Sequence, residues 1–211
     1  HYICNCRDGA DEDCIMGDND NDGLGPETPL RYYEHARMVF PDIDAGDAIL
    51  FCRGGAFKAG GNPKWYNEHC RADEPCMIAD YSAPWSSGDE PRPIINSDGG
   101  AFKLMSEDTA RHEEGFVLLN LDIRGDQRHS GIQIKNDLDD VMLCNLRVTN
   151  FQRGIYISGS HNTDAETDGR NDRITLRNSQ IENNSSMGWD GGCTGCAIQY
   201  NDFKNNGFME A

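Results

Sequence analysis

FVLLNLDIRG (116–125), VMLCNLRVTN (141–150), ITLRNSQIEN (174–183) and CAIQYNDFKN (196–205) superpose without a gap. In each, two apolar residues stand two apart, a polar residue follows two further on, and an apolar residue comes three beyond that. The inward set is Phe116, Leu118 and Ile123; Val141, Leu143 and Val148; Ile174, Leu176 and Ile181; and Cys196, Ile198 and Phe203. Alternation of this kind dictates short strands, because successive Cβ atoms of a strand point to opposite faces. Between the apolar groups fall Asn120, Asn145, Asn178 and Tyr200. An asparagine there marks a bend where a carboxamide bonds the neighbouring backbone, and stacked coils would align these asparagines as a ladder.

The segments begin 25, 33 and 22 residues apart, which suits a coil of two or three short strands and excludes a heptad or helical repeat. The longest spacing contains the polar insertion SGSHNTDAETDGRND (158–172), expected to project as a loop. A solenoid tolerates such a loop because each coil touches only its neighbours. GIQI (131–134) and GIYI (154–157) read as further strands after the bend.

Upstream, residues 1–27 are rich in Cys, Asp, Asn and Gly and have no apolar period, so they read as a stapled loop. Within it, DNDNDG (18–23) places Asp18, Asp20 and Asp22 so that alternate carboxylates can converge on calcium while Gly23 makes the turn. The twelfth position of a complete calcium loop would be glutamate and is Pro29 here, so a solvated turn is the competing reading. Thr28 and Pro29 read as N-cap and first residue of a helix with Leu30, Tyr33, Ala36 and Phe40 on one apolar face, stopped by Pro41. Residues 48–52, 76–80 and 93–95 read as first, irregular strands. Trp65, Tyr66 and Trp85 lie in or beside the excursions between them. These aromatics could stack on sugar rings or pack over the flank of the first coils.

These coils, with NDGLGPETPLRYYEHA (21–36), GDAILFCRGGAF (46–57), GNP (61–63) and RPIIN (92–96), resemble the right-handed parallel β-helix of the pectate-lyase-like superfamily and the capping region that opens many of its secreted bacterial members. The resemblance implies an all-β solenoid with an N-terminal capping helix. The parts are a Cys/Asp-rich loop (1–27), a capping helix with irregular first coils (28–115) and regular coils (116–211). It implies fold more than reaction, since this scaffold carries lyases, hydrolases, epimerases, adhesins and phage proteins alike.

Composition narrows the partners. A net charge of −17, from 19 basic and 36 acidic residues, opposes binding to nucleic acid. It also opposes a polyanionic glycan unless bridging calcium or a local basic groove intervenes. No apolar run approaches the ~20 residues of a membrane span. Nine cysteines point to an oxidising compartment and a secreted protein. Six of them, Cys4, Cys6, Cys14, Cys52, Cys70 and Cys76, allow 15 pairings. CTGC (193–196) could be a redox motif, a metal half-site or a local disulfide, and without a second CxxC it reads foremost as structural; Cys144 is the odd one, with a partner expected among the N-terminal cysteines or beyond residue 211. The start at His1 reads as a processed or excised product. NGFMEA (206–211) reads as the opening of another strand, so the chain is expected to continue in a longer protein or to be completed by another chain.

A lyase acting on a uronic acid needs a positive group for the carboxylate, a base for the C5 proton and a donor for the leaving oxygen. Lys135 after GIQI, Arg153 before GIYI and His161 at the start of the insertion could meet on adjacent coils. An inverting hydrolase would need paired carboxylates. Asn162, Thr163 and Asp164 spell one familiar triplet of such enzymes, but its companion motifs do not follow. Two functional readings result: a secreted, calcium-dependent enzyme, foremost a polysaccharide lyase, or a non-catalytic structural, adhesive or carbohydrate-binding β-helix.

Overall fold

The computed structural model describes residues 1–108, 111–160 and 168–207. After β1 (Tyr2–Ile3) the chain winds through coils of three short strands. The first is β2 (Ala48–Cys52), β3 (Ala56–Ala59) and β4 (Lys64–Trp65); the second is β5 (Cys76–Tyr81), β6 (Ile94–Ser97) and β7 (Phe102–Met105). The third and fourth are β8 (Glu113–Leu119), β9 (Asp122–Arg124) and β10 (Ser130–Asn136), then β11 (Leu138–Cys144), β12 (Arg147–Thr149) and β13 (Arg153–Gly159). β14 (Thr175–Arg177), β15 (Gln180–Glu182) and β16 (Met187–Asp190) form the fifth, and β17 (Ala197–Gln199) and β18 (Asp202–Lys204) open the sixth. Each strand pairs in parallel with its counterpart one coil away, giving sheet A (β1, β2, β5, β8, β11, β14, β17), sheet B (β3, β6, β9, β12, β15, β18) and sheet C (β4, β7, β10, β13, β16). This is a right-handed parallel β-helix.

The repeat fixes the register. Leu118, Leu143, Leu176 and Ile198 stand opposite one another across sheet A, and Ile123, Val148, Ile181 and Phe203 across sheet B. The inward residues of the first three segments are buried, whereas Ile198 and Phe203 in the last described coil are exposed. At the A-to-B bend Asn120, Asn145, Asn178 and Tyr200 all adopt φ between 51° and 60°, the left-handed region asparagine tolerates. A side-chain relay runs along this corner: Asn120 donates to Asp80 (2.7 Å) and Asn145 donates to Asn120 (2.6 Å). A second row of bends, at Asn150, Asn183 and Asn205, turns sheet B into sheet C.

The capping helix, α1 (Tyr33–Val39), starts later than Thr28 and Pro29 suggest. The Thr28 hydroxyl donates to Asp22 instead (2.9 Å), and Leu30 bridges to Ile3. Pro41 lies inside a 3-10 turn, Phe40–Asp42, that continues the helix. The expected apolar face, Leu30, Tyr33, Ala36 and Phe40, is buried against the first coils. Disulfides join Cys4 to Cys52, Cys6 to Cys14, Cys70 to Cys76 and Cys193 to Cys196. Cys144 is free; of its two expected partners, the N-terminal cysteines are ruled out because they pair among themselves. Gly115 (φ 75°) is required where the loop held by Cys70–Cys76 crosses β8, since a Cβ there would lie 2.1 Å from the Arg71 carbonyl oxygen.

Buried Glu113 ties this region together by accepting from the amides of Asn67 and Glu107, each at 2.8 Å. The Asn67 carboxamide in turn donates to the carbonyls of Phe40 (2.6 Å) and Ile43 (2.9 Å). Glu113→Ala is expected to destabilise the protein by about 2–3 kcal/mol, because two amides lose their acceptor and one of them is buried. Denaturant unfolding of Glu113→Ala beside Glu113→Gln, which keeps one acceptor and should lose less, measures this.

Candidate functional site on the outer face of sheet C

Strand alternation sends Trp65, Phe102, Leu104, Ile132, Ile134, Ile155 and Ile157 into the core and their neighbours outward. One outward row crosses the coils as Lys64, Lys103, Gln133, Tyr156 and Asp190. Two residues along, Met105, Lys135 and Ser158 form the next row. Arg153 stands at the strand start between Ser130 and Met187. Adjacent coils are about 4.8 Å apart, so Lys64, Lys103 and Lys135 occupy successive rungs and their ammonium groups feel one another.

Tyr156 is the meeting point of the two described residues among those proposed as catalytic from sequence. The Arg153 guanidinium lies 4.0 Å and the Lys135 ammonium 5.8 Å from its ring centroid, within cation–π range. Arg153 also pairs with Asp190 (3.2 Å), while its buried Nε has no hydrogen-bond partner. Gln133 donates to Asn62 (3.1 Å) and stiffens the floor between the lysines. Partial burial, then the positive charges of Lys135 and Lys64, lowers the pKa of Lys103. Lys103 was missed in the sequence because AFKLM is too short an alternation to read alone. His161 lies outside the described residues.

The aromatic trio separates. Trp65 has no exposed surface; it is core, and it offers no face to a sugar. Its neighbour Tyr66 points the other way and, half-buried, lines a cleft of ≈ 510 Å³ with Lys64, Arg37 and Glu107, beside the lysine row. Trp85 packs partly buried near Gly54 at the A-to-B corner, away from both.

The acidic loop also differs from expectation. Asp18 and Asp22 accept the amides of Asp20 (3.1 Å) and Leu24 (3.0 Å), so they shape turns, and the Leu24 and Thr28 hydrogen bonds lower the pKa of Asp22. Among the described residues, metal-ligating atoms gather in threes only at the disulfide cysteines and at His112, Asp137 and Asp139, the latter at the C-to-A corner beside Lys135. There Asp137 accepts from the Asp168 amide (3.0 Å) and pairs with His112 (3.1 Å), while Asp139 accepts from the Asp172 amide (2.7 Å) and pairs with Arg173 (2.9 Å). Arg173 also bridges to Asp140 (2.7 Å). Burial alone would lower the pKa of His112, but the Asp137 hydrogen bond and the surrounding carboxylates raise it. Calcium takes six to eight oxygen ligands. A corner containing an imidazole and a guanidinium, with its carboxylates already bonded, does not fit that ion.

A search of solved structures places the chain beside a crystal structure of pectate lyase Pel9A, with a TM-score of 0.58 over 99% of this chain at 13% identity. The two share the parallel β-helix fold. The match spans 55% of the length of that pectate lyase. A second similarity is to an alginate lyase from Paenibacillus sp. str. FPU-7, at 15% identity and a TM-score of 0.36 over 83% of this chain and 65% of that one. No protein-family model matches the sequence, and a search of curated proteins found no match. Among the described residues no helix is long and apolar enough to cross a membrane.

Proposed function

We propose that the chain forms an extracellular polysaccharide-lyase face that cleaves a uronate-containing glycan by β-elimination on the outside of sheet C. The observation that carries this reading is the gathering of Lys64, Lys103 and Lys135 from three successive coils, with Arg153 and Tyr156, on one face, a local basic patch in a chain of net charge −17. Lys135 and Arg153 hold the sugar carboxylate and offset the negative charge that builds up on it. Lys103, with its lowered pKa, takes the C5 proton in its neutral form. The electron pair left at C5 forms the C4–C5 double bond, the bond from C4 to the glycosidic oxygen breaks, and the Tyr156 hydroxyl returns a proton to that oxygen. The positive side chains supply the charge neutralisation that calcium would otherwise provide. The disulfides and the kinship of fold with a pectate lyase support an extracellular setting and a glycan partner.

Incubation with pectate, alginate and neutral glycans, reading ultraviolet-absorbing unsaturated ends and reducing ends separately, tests the proposal. New unsaturated ends from an acidic glycan, undiminished by chelator, are expected. Binding without new ends would favour a carbohydrate-binding β-helix. A pH test follows from the lysine row. Lys64→Met removes a like charge and lets the pKa of Lys103 rise, so the acidic limb of the pH–rate profile should move to higher pH. An unmoved limb would take the base role from Lys103.

A further inference from the structure

We propose a second site, for the acid and hydroxyl groups of an acidic oligosaccharide, in an arginine-lined groove on the outer face of sheet B. The choice of glycan probe rests on the reading above; the site itself rests on its own residues. The groove, ≈ 580 Å³, follows the A-to-B corner and carries Arg53, Arg92, Arg124 and Arg147 with Asp89, Glu90 and Asp122. Four guanidinium groups from four coils or corners thus share one concavity in a strongly acidic chain.

Their protein partners leave donors over. Arg92 bonds only to a neutral acceptor, the Asn145 amide oxygen (2.7 Å) that ends the asparagine relay, and among the described residues it has no carboxylate partner. Arg124 and Arg147 both reach the same oxygen of Asp122, at 2.6 and 3.5 Å, and Arg147 also pairs with Glu182 (2.8 Å). The second Asp122 oxygen and Arg124 Nε are both buried without a hydrogen-bond partner. Among the described residues Glu90 forms no ion pair with the arginines; its carboxylate accepts from the Ser87 amide (2.5 Å), the Gly88 amide (3.1 Å) and the hydroxyls of Ser86 and Ser87. Its backbone carbonyl meanwhile anchors Arg53 (2.7 and 3.1 Å).

The groove therefore presents the Arg92 guanidinium, which has no carboxylate partner among the described residues, beside the half-exposed Arg124 and the exposed carboxylate of Asp89. A simple anion would meet the arginines but be repelled by Asp89. A uronate sugar suits such a mixed lining, its carboxylate meeting Arg92 and the outer nitrogens of Arg124 in the planar geometry guanidinium favours and a ring hydroxyl donating to Asp89. Because sheet B is a different face of the prism from sheet C, such a site would hold the polymer apart from the patch where it is cut.

The test uses the full chain carrying Lys103→Met, so that the probe is not consumed, and titrates trigalacturonate, inorganic sulfate and a neutral trisaccharide by NMR. The arginine Nε–Hε signals of Arg92 and Arg124 should shift with trigalacturonate, and the added Arg92→Ala/Arg124→Ala pair should weaken that component at least about tenfold. The neutral sugar should leave these signals in place and sulfate should move them only weakly. Unshifted signals overturn the site, even if the double variant misfolds. Sulfate binding as tight as trigalacturonate overturns the sugar assignment. Failure of the unaltered protein to form unsaturated ends bears on the lyase reading and leaves this result standing.

Discussion

Lys103→Met is expected to slow formation of unsaturated ends by about 10²–10⁴-fold, the usual contribution of a positioned general base. The melting temperature should hold or rise. The reason is the sign of the Lys103 shift: its folded-state pKa lies below the ordinary lysine value, so protonating it costs the folded chain more than the unfolded one. The penalty applies fully below the lowered pKa and vanishes as pH rises through the ordinary value. Methionine keeps the length of the side chain and removes the penalty. Lys103→Arg should restore the charge but not the rate, because a guanidinium cannot give up its proton in this range. Recovery of activity in the arginine variant would assign Lys103 to carboxylate binding instead of proton transfer.

Trp65→Ala is expected to cost about 3–5 kcal/mol of stability, the range for truncating a buried large aromatic. Trp65 packs edge-on against Tyr33 and Phe40, at centroid distances of 5.6 and 5.1 Å, and tilted against Phe102 at 5.4 Å. Its indole donates to the Tyr33 hydroxyl (3.0 Å), which donates to the Ala101 carbonyl (2.5 Å). Removing the ring leaves a cavity at the junction of capping helix and first coils. Urea unfolding reads the loss directly. A variant as stable as the parent but deficient in glycan binding would reverse the placement of this side chain. Tyr66→Ala is the useful partner, because its ring lines the cleft beside Lys64 and its loss should barely change stability.

Sheets A and B were legible in the sequence because their inward residues repeat with fixed spacing and an asparagine marks each bend. The second bend was equally present, at Asn150, Asn183 and Asn205, but each asparagine closes its segment, where turn residues occur for many reasons. Much of sheet C was harder to read. β4 is two residues long and β7 four, so neither the inward turn of Trp65 nor the outward turn of Lys103 has a period to announce it. The helix start was misplaced because Thr28 is a good cap by type, while Asp22 claims its hydroxyl. Asp18, Asp20 and Asp22 have the spacing of a metal loop, yet Asp18 and Asp22 bond nearby amides, a local competition spacing does not reveal. Arg92 and Arg147 meet only because three coils stack, which no local motif encodes.

The outward row on sheet C takes one residue from each turn of the solenoid, and each rung is spaced by the same backbone hydrogen bonds. Such a face behaves like a ruler whose divisions are set by the main chain and whose markings are set by side chains. Exchanging Gln133 or Asp190 would relabel one division without moving the others, and duplicating a turn would lengthen the ruler by one division. The polar insertion after β13 shows the chain absorbing extra length at a corner while β13 and β16 stay paired across it. A surface built this way can be retuned for a polymer of different charge spacing one rung at a time, with the scaffold beneath it left alone.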